Sequence, residues 1–173
     1  MILESQNKKI IIRRAILGLM LLAIAVIQNT DGLFPQPFGI RASLLIPAVV
    51  CVAMFERDMA GMFFGLFAGA LWDTYTEGAD FNALYLFIAG FVCGTLINTI
   101  MRNNIVTAAL LSGFFITLHP LIYWLFHYVF AGLDNAGYMF LRYYLPGMAY
   151  TAIFIPFMFI AVRAIEKKFS EEE

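Results

Sequence analysis

Six apolar segments, separated by short polar stretches, make up most of the chain. They cover 15–27, 42–55, 59–75, 81–101, 105–130 and 144–162. A helix rises 1.5 Å per residue, so about 20 apolar residues cross the hydrocarbon of a bilayer. The last three segments reach that length. The first reaches it only together with 10–12, in which case Arg13 and Arg14 are expected to extend back to the headgroups. The pattern predicts an all-α bundle of six transmembrane helices.

The second segment leaves three interpretations open, because it is short and contains Pro47. The segment crosses the bilayer, enters and leaves it on one side, or forms a short helix buried within the protein. Basic residues favour the crossing, since cytoplasmic loops are enriched in Lys and Arg. With six crossings and a cytoplasmic N-terminus, Arg41 and Arg142 lie outside, and nine of the 11 basic residues lie inside: Lys8, Lys9, Arg13, Arg14, Arg57, Arg102, Arg163, Lys167 and Lys168. Without the second crossing, only five lie inside. We therefore predict that both termini are cytoplasmic.

Composition also favours a membrane protein. Hydrophobic residues make up 62% of the chain and charged residues 13%, whereas about a quarter of the residues in soluble domains are charged. We expect a basic cytoplasmic N-terminus over 1–14, one membrane domain over 15–165 and an acidic cytoplasmic tail over 166–173. A cleavable signal peptide is an alternative interpretation of the first segment, but the apolar run continues beyond its small-residue site. Cys51 and Cys93 lie in apolar segments and are expected to be unpaired.

Small residues recur every four positions along the third and fourth segments. They are Gly61, Gly65 and Gly69, followed by Asp73, and Gly90 and Gly94, followed by Asn98. Residues at that spacing share a helix face, and small side chains let two helix backbones approach closely. Folding the chain back at the 76–80 loop predicts that Gly65 faces Gly90. It also predicts that Gly61 faces Gly94. We expect this packing within one chain rather than between two copies.

Asp73 continues the glycine face in the outer part of the bilayer. One interpretation is an interfacial carboxylate, hydrated near Thr74 and Thr76. The other is a buried, paired carboxylate with a structural or partner-binding role, because an ionisable group at membrane depth costs roughly 2.5 to 3.5 kcal/mol. Arg142 enters the sixth segment at a similar depth. An ion pair between Arg142 and Asp73 is therefore a further alternative.

The fifth segment places His119, Tyr123 and His127 four residues apart. A metal site needs at least one more converging ligand, and the sequence offers none at a matching depth. We expect no metal here, and we expect His119 to form a hydrogen bond inside the bundle. The candidate polar or partner-binding residues within the membrane are Trp72, Asp73, Asn82, His119 and Arg142.

Familiar catalytic motifs are missing from the sequence, which has no HExxH, no GxSxG and no phosphate-binding loop. The loops between the apolar segments are also too short to hold a soluble domain. We predict a non-enzymatic protein that uses no cofactor and binds no nucleic acid.

The signature region of the MreD family, the small polytopic rod-shape-determining proteins of bacteria, is similar to two stretches of this chain. They are GMFFGLFAGALWD at 61–73 and NALYLFIAGFVCG at 82–94. The length, the six segments and the glycine-spaced segment ending in Asp73 also agree with that family. The chain departs from the family at Asp80, where a Gly is usual, and in a loop that is one residue shorter.

The resemblance implies a scaffold of the cell-elongation machinery in the bacterial cytoplasmic (inner) membrane, which supports cell shape and peptidoglycan synthesis. It names an MreC-like bitopic membrane protein as the chief partner. MreB, RodA and the transpeptidase that works with RodA are further implied partners.

A second resemblance, in the six-segment pattern alone, is to the substrate-binding membrane subunits of energy-coupling-factor vitamin transporters. Those subunits dock on their membrane partner through AxxxA in the first span, and Ala15, Ala23 and Ala25 do not have that spacing. They also hold a vitamin in a polar, aromatic pocket near the outer face. The residues that such a pocket would use here are Trp72, Asp73, Asn82, His119 and Tyr123.

Overall fold

In the computed structural model, the described part of the chain is predominantly helical. The structure describes residues 2–56, 58–76, 81–132 and 136–170, and no strand occurs within these ranges. The predicted all-α class is therefore confirmed. Arg57 and Asp80, which entered the sequence argument, lie outside the described residues.

Within the described ranges, eight α-helices follow one another. They are α1 (Ile2–Asn29), α2 (Leu45–Glu56), α3 (Asp58–Asp73), α4 (Asn82–Thr99), α5 (Ile105–Trp124), α6 (Ala136–Met139), α7 (Leu145–Ala152) and α8 (Ile155–Ser170). A 3-10 turn covers Pro37–Gly39, and π turns at Leu125–Val129 and Phe140–Tyr144 extend α5 and join α6 to α7. Pro146 and Pro156 stand near the starts of α7 and α8. Proline lacks an amide donor, so the last apolar segment is divided at these points.

Four of the described helical stretches are long and apolar enough to cross a membrane. They are Lys8–Asn29, Asn82–Thr99, Ile105–Val129 and Ala136–Phe169. Two shorter apolar helices, Leu45–Glu56 and Met59–Asp73, complete the set. The six apolar segments of the sequence thus each correspond to helix. That all six helices cross the membrane stays a prediction. That both termini are cytoplasmic also stays a prediction.

The α2 helix forms the centre of the bundle. Every residue from Leu45 to Met54 is buried, and α2 packs against α1, α3, α4, α5 and α8. A helix that is apolar on all sides is stable only when it is surrounded. Its 12 residues span about 18 Å, which is short of the roughly 30 Å of bilayer hydrocarbon. Because the neighbouring helices cover α2, irregular backbone at its ends need not face lipid.

The α3 and α4 helices form an antiparallel hairpin whose backbones touch along the glycine face. A Cβ added at Gly61 would lie 3.1 Å from the Gly90 carbonyl oxygen, and one added at Gly65 would overlap the Leu86 carbonyl. A Cβ at Gly69 would overlap Ala83. The predicted register is therefore wrong by about one turn, since Gly61 rather than Gly65 faces Gly90.

A cluster of ion pairs joins α1, α2 and α8 at one end of the bundle, called here the ion-pair end. Arg13 lies 2.7 Å from Glu56 and 3.2 Å from Glu166, and Arg14 lies 2.9 Å from Glu56. The Glu56 side chain is fully buried. Carboxylates more than 40 residues away in sequence bind both arginines, and their position at the level of the headgroups stays a prediction.

Candidate functional site

Asp73 ends α3 at the opposite end of the bundle, and its carboxylate binds the start of α4. Its Oδ2 accepts a hydrogen bond of 2.9 Å from the Ala83 amide. The first amides of a helix lack partners within the helix and carry partial positive charge, so a carboxylate stabilises them. The Asp73 Oδ1 is buried and has no hydrogen-bond partner among the described residues. Asp73 therefore links the two helices of the hairpin.

The hydroxyls of the two threonines beside Asp73 do not bind its carboxylate, and hydration of the carboxylate stays a prediction. Thr74 donates its hydroxyl to the Leu71 carbonyl, and Thr76 donates to the Asp73 carbonyl. Both hydroxyls thus bind backbone. The Asp73 carboxylate binds the backbone of the same chain at Ala83. The sequence analysis offered a structural role as one interpretation of Asp73 but did not identify Ala83 as its partner.

His119 and Asn82 form a buried hydrogen-bonded pair between α5 and α4. The His119 Nε2 lies 2.8 Å from the Asn82 Oδ1, and the two residues are 9% and 5% exposed. Because an amide oxygen only accepts, Nε2 carries the proton in this arrangement. A hydrogen bond of His119 inside the bundle was expected from the sequence, and Asn82 is its partner.

Aromatic rings surround the His119 imidazole. Trp72 stacks on it with ring centroids 5.2 Å apart, Tyr85 approaches edge-on at 4.8 Å, and Phe81 lies at 5.7 Å. The Tyr85 hydroxyl donates a 2.6 Å hydrogen bond to the Phe115 carbonyl, which fixes the ring against α5. Three helices therefore hold the imidazole in one orientation.

A cavity of about 370 Å³ opens beside this pair, between the 39–43 segment and the facing ends of α3, α4, α5 and α7. The ring-bearing residues on its wall are Trp72, Phe81, His119, Tyr123, Tyr143 and Tyr144. Ser43, Asn82 and Thr151 add polar groups. Of the candidate polar residues, the structure thus brings Trp72, Asn82 and His119 to one cavity.

The remaining candidates lie elsewhere. Arg142 is exposed in the Phe140–Tyr144 turn, and within the described ranges no ion pair joins it to Asp73. His127 is exposed and stacks on Tyr123, with ring centroids 3.9 Å apart. Gly94 is buried on α4. No three His, Cys, Asp or Glu side chains converge in the part of the chain that the structure describes.

Sequence reasoning missed the contacts at the start of α2, where Ser43 and Thr151 also lie on the cavity wall. The Thr151 hydroxyl accepts from the Ser43 amide at 3.0 Å and donates to the Gly147 carbonyl at 2.7 Å. The Gln28 side chain accepts from the Leu45 amide at 2.9 Å. Buried amides at a helix start need acceptors. The polar residues Gln28 and Ser43 at the edges of apolar segments are the sequence signal for these contacts. The sequence does not identify their partners, which are distant along the chain.

Comparison of the chain with protein-family models, with curated proteins and with solved structures finds no match.

Proposed function

We propose that this chain is a non-enzymatic scaffold of the MreD type in the bacterial cytoplasmic membrane, where it holds an MreC-like bitopic protein. One observation supports the proposal most. The two stretches that carry the resemblance, 61–73 and 82–94, form a single hairpin with backbone contact along its length. The glycines and Asp73 are therefore the residues that this hairpin needs.

The opposite face of α3 offers a surface for a partner helix. Phe63 is 61% exposed, and Leu66 and Phe67 are each 41% exposed. These side chains project away from the glycine face, toward lipid or another protein. In lipid, helices associate through close packing rather than through a hydrophobic driving force. A single-span partner would pack against this aromatic face, which the hairpin holds rigid.

The experiment is co-purification of the MreC-like protein with wild-type chain and with Asp73→Ala, at matched membrane levels. Loss of a capping carboxylate typically costs about 0.5–2 kcal/mol. The start of α4 is therefore held less firmly against the end of α3 in the variant. We expect the variant to retain several-fold less partner. Asp73→Asn, whose amide oxygen still accepts from Ala83, should retain most of it. Asp31→Ala is the matched control, because the Asp31 side chain is 80% exposed and binds Arg41.

Failure of the wild type to retain the partner would contradict the scaffold proposal. Equal retention by wild type and Asp73→Ala would leave the scaffold standing and remove Asp73 from its interface. If Asp73→Asn loses as much partner as Asp73→Ala, the negative charge of Asp73 is required, at the start of α4 or in the partner contact, and an acceptor for the Ala83 amide is not sufficient.

A second function is favoured by the cavity, namely the substrate-binding membrane subunit of an energy-coupling-factor type transporter. Four of the five residues named for such a pocket line the cavity: Trp72, Asn82, His119 and Tyr123. The missing AxxxA spacing argues against this function. Recovery of a transporter subunit with its ATPases in the same co-purification, in place of the MreC-like protein, would establish it.

A further inference from the structure

We infer that a groove at the ion-pair end of the bundle binds the phosphate headgroup of an anionic phospholipid. The groove, called here the α8 groove, lies between the end of α2, the turn that joins α4 to α5, and the middle of α8. Its wall consists of Phe55, Asn103, Asn104, Ile105, Phe159, Ile160 and Arg163. This inference goes beyond the scaffold function and does not depend on it.

The α8 groove lies at the polar end of the bundle and has the size of a ligand site. Asn103 on its wall donates to the Met54 carbonyl, near the end of α2, at 3.1 Å. Arg163 lies about one helical turn before Glu166, which belongs to the ion-pair cluster. The volume of about 500 Å³ falls within the roughly 300–1,000 Å³ that ligand pockets occupy. The groove can therefore hold a glycerophosphate headgroup.

The charge on the wall of the α8 groove is positive. Within the described part of the chain, Arg163 is the charged residue on the wall, and no carboxylate lies there. None of the described ion pairs involves Arg163, which is exposed. Arg102, also exposed, directly precedes Asn103 and adds a second positive charge nearby. The groove therefore favours an anion over a neutral or cationic headgroup.

Hydrogen-bond donors suited to a phosphate lie on the same wall. The Arg163 guanidinium can bind two phosphate oxygens at once. Asn104 caps α5 through its Oδ1, which accepts from the Thr107 amide at 2.8 Å, and its amide nitrogen is not used in that cap. Asn103 spends one of its two amide hydrogens on Met54. A phosphate in the groove thus has a guanidinium and two carboxamides as donors.

Apolar side chains on the wall favour a lipid over a free phosphate ion. Phe55 and Phe159 pack together with ring centroids 5.6 Å apart, and Ile105 and Ile160 are exposed beside them. An inorganic ion leaves these isoleucines uncovered, whereas the acyl chains of a phospholipid cover them. Basic pockets between transmembrane helices commonly bind anionic headgroups on the cytoplasmic side. The predicted topology places the α8 groove on that side.

The test measures lipid retention by the purified full-length chain in detergent, using native mass spectrometry. Phosphatidylglycerol and phosphatidylcholine with identical acyl chains are added in equal amounts. We expect the wild type to retain phosphatidylglycerol at least fivefold more than phosphatidylcholine. Arg163→Gln should lower that preference at least threefold, because the wall loses its charge, and it should fold because Arg163 is exposed. Arg163→Lys, which keeps the charge, should lose less of the preference.

Lys168→Gln is the matched control, because it removes the same charge from the same helix at an exposed position that is not on the wall. It should keep the wild-type preference. Equal retention of the two lipids by the wild type would overturn the inference. An equal loss of preference in Arg163→Gln and Lys168→Gln would overturn it too, because net charge would then explain the attraction.

Glycerol 3-phosphate separates a lipid from a soluble phosphate, since it carries the headgroup chemistry without acyl chains. It should displace phosphatidylglycerol from the wild type only in large excess, because the contacts of the acyl chains with the isoleucines are missing. Displacement at concentrations equal to that of the lipid would contradict the lipid assignment and identify a soluble phosphate compound as the occupant of the α8 groove.

Discussion

Gly65→Leu is expected to eliminate most folded protein in detergent, and Gly90→Leu is expected to do the same. A Cβ at Gly65 would overlap the carbonyl of Leu86, and one at Gly90 would overlap the carbonyl of Gly61. The obstacles are backbone atoms, which cannot move aside as a side chain does. Overpacking typically costs about 1–3 kcal/mol of stability. Because the obstacle is the backbone of the facing helix, we expect these variants to lose an amount at or above the upper end of that range.

Gly18→Leu is the control for this prediction. The nearest atom to a Cβ at Gly18 is the Phe64 Cε1 at 4.0 Å, so the added side chain faces an open groove. The measurement is the monodisperse fraction after extraction and size-exclusion chromatography. Equal fractions for Gly18→Leu, Gly65→Leu and Gly90→Leu would refute close backbone packing in the hairpin. Gly65→Ala sharpens the test, because a single methyl already meets the obstruction.

Replacing both Arg13 and Arg14 with glutamine should destabilise the fold by about 3–5 kcal/mol, because it leaves a buried carboxylate without compensation. The Glu56 side chain is 0% exposed, whereas the arginines are 25% and 50% exposed. Glu56→Gln alone should cost less, since the released arginines can turn toward water. The ion pairs therefore predict that removing the two arginines lowers the stability more than removing the Glu56 charge does.

The triple variant Arg13→Gln, Arg14→Gln, Glu56→Gln provides the decisive comparison. It should recover the part of the lost stability that comes from the fully buried Glu56 charge, while Glu166 still lacks its Arg13 partner. Thermal unfolding monitored by circular dichroism in one detergent measures all three proteins. Loss of the two arginines also weakens the basic asymmetry that orients the chain. If the triple variant is as unstable as the double variant, loss of the arginines' other contacts, such as that of Arg13 with Glu166, explains the loss rather than the buried Glu56.

The sequence predicted the fold class because the apolar segments are long and their polar breaks are clear. It also identified the glycines at which α3 and α4 touch. It did not predict their register, which depends on how the chain turns between Asp73 and Ala83, and on the hydrogen bond between them. The short connection between α3 and α4 sets which glycine of α3 faces which glycine of α4. The spacing of hydrophobic residues carries no information on that register.

The candidate site was predicted in part for a similar reason. Trp72, Asn82 and His119 were recognised because polar and amphipathic residues are unusual within apolar segments. Their convergence on one cavity is a property of the bundle, in which segments far apart in sequence meet. The pairing of Arg13 with Glu56, 43 residues apart, escaped notice because each residue alone has an ordinary explanation at a membrane interface.

Both the scaffold function and the accessibility of the cavity depend on six crossings with cytoplasmic termini, so the topology is the central claim. Labelling of single cysteines with an impermeant thiol reagent in intact cells tests it, after replacement of the buried Cys51 and Cys93. The Asn103 side chain donates to the Met54 carbonyl at the ion-pair end. Because the basic asymmetry predicts that this end is cytoplasmic, a cysteine at Asn103 should stay unlabelled.

The other three labelling positions, Gly78, Asn135 and Glu171, lie outside the described residues, and their sides of the membrane follow from the basic asymmetry. Cysteines at Gly78 and Asn135 should react from outside, and one at Glu171 should not. This result would place the cavity end outside and the ion-pair end in the cytoplasm. Labelling of the Asn103 cysteine in intact cells would contradict the six-crossing account.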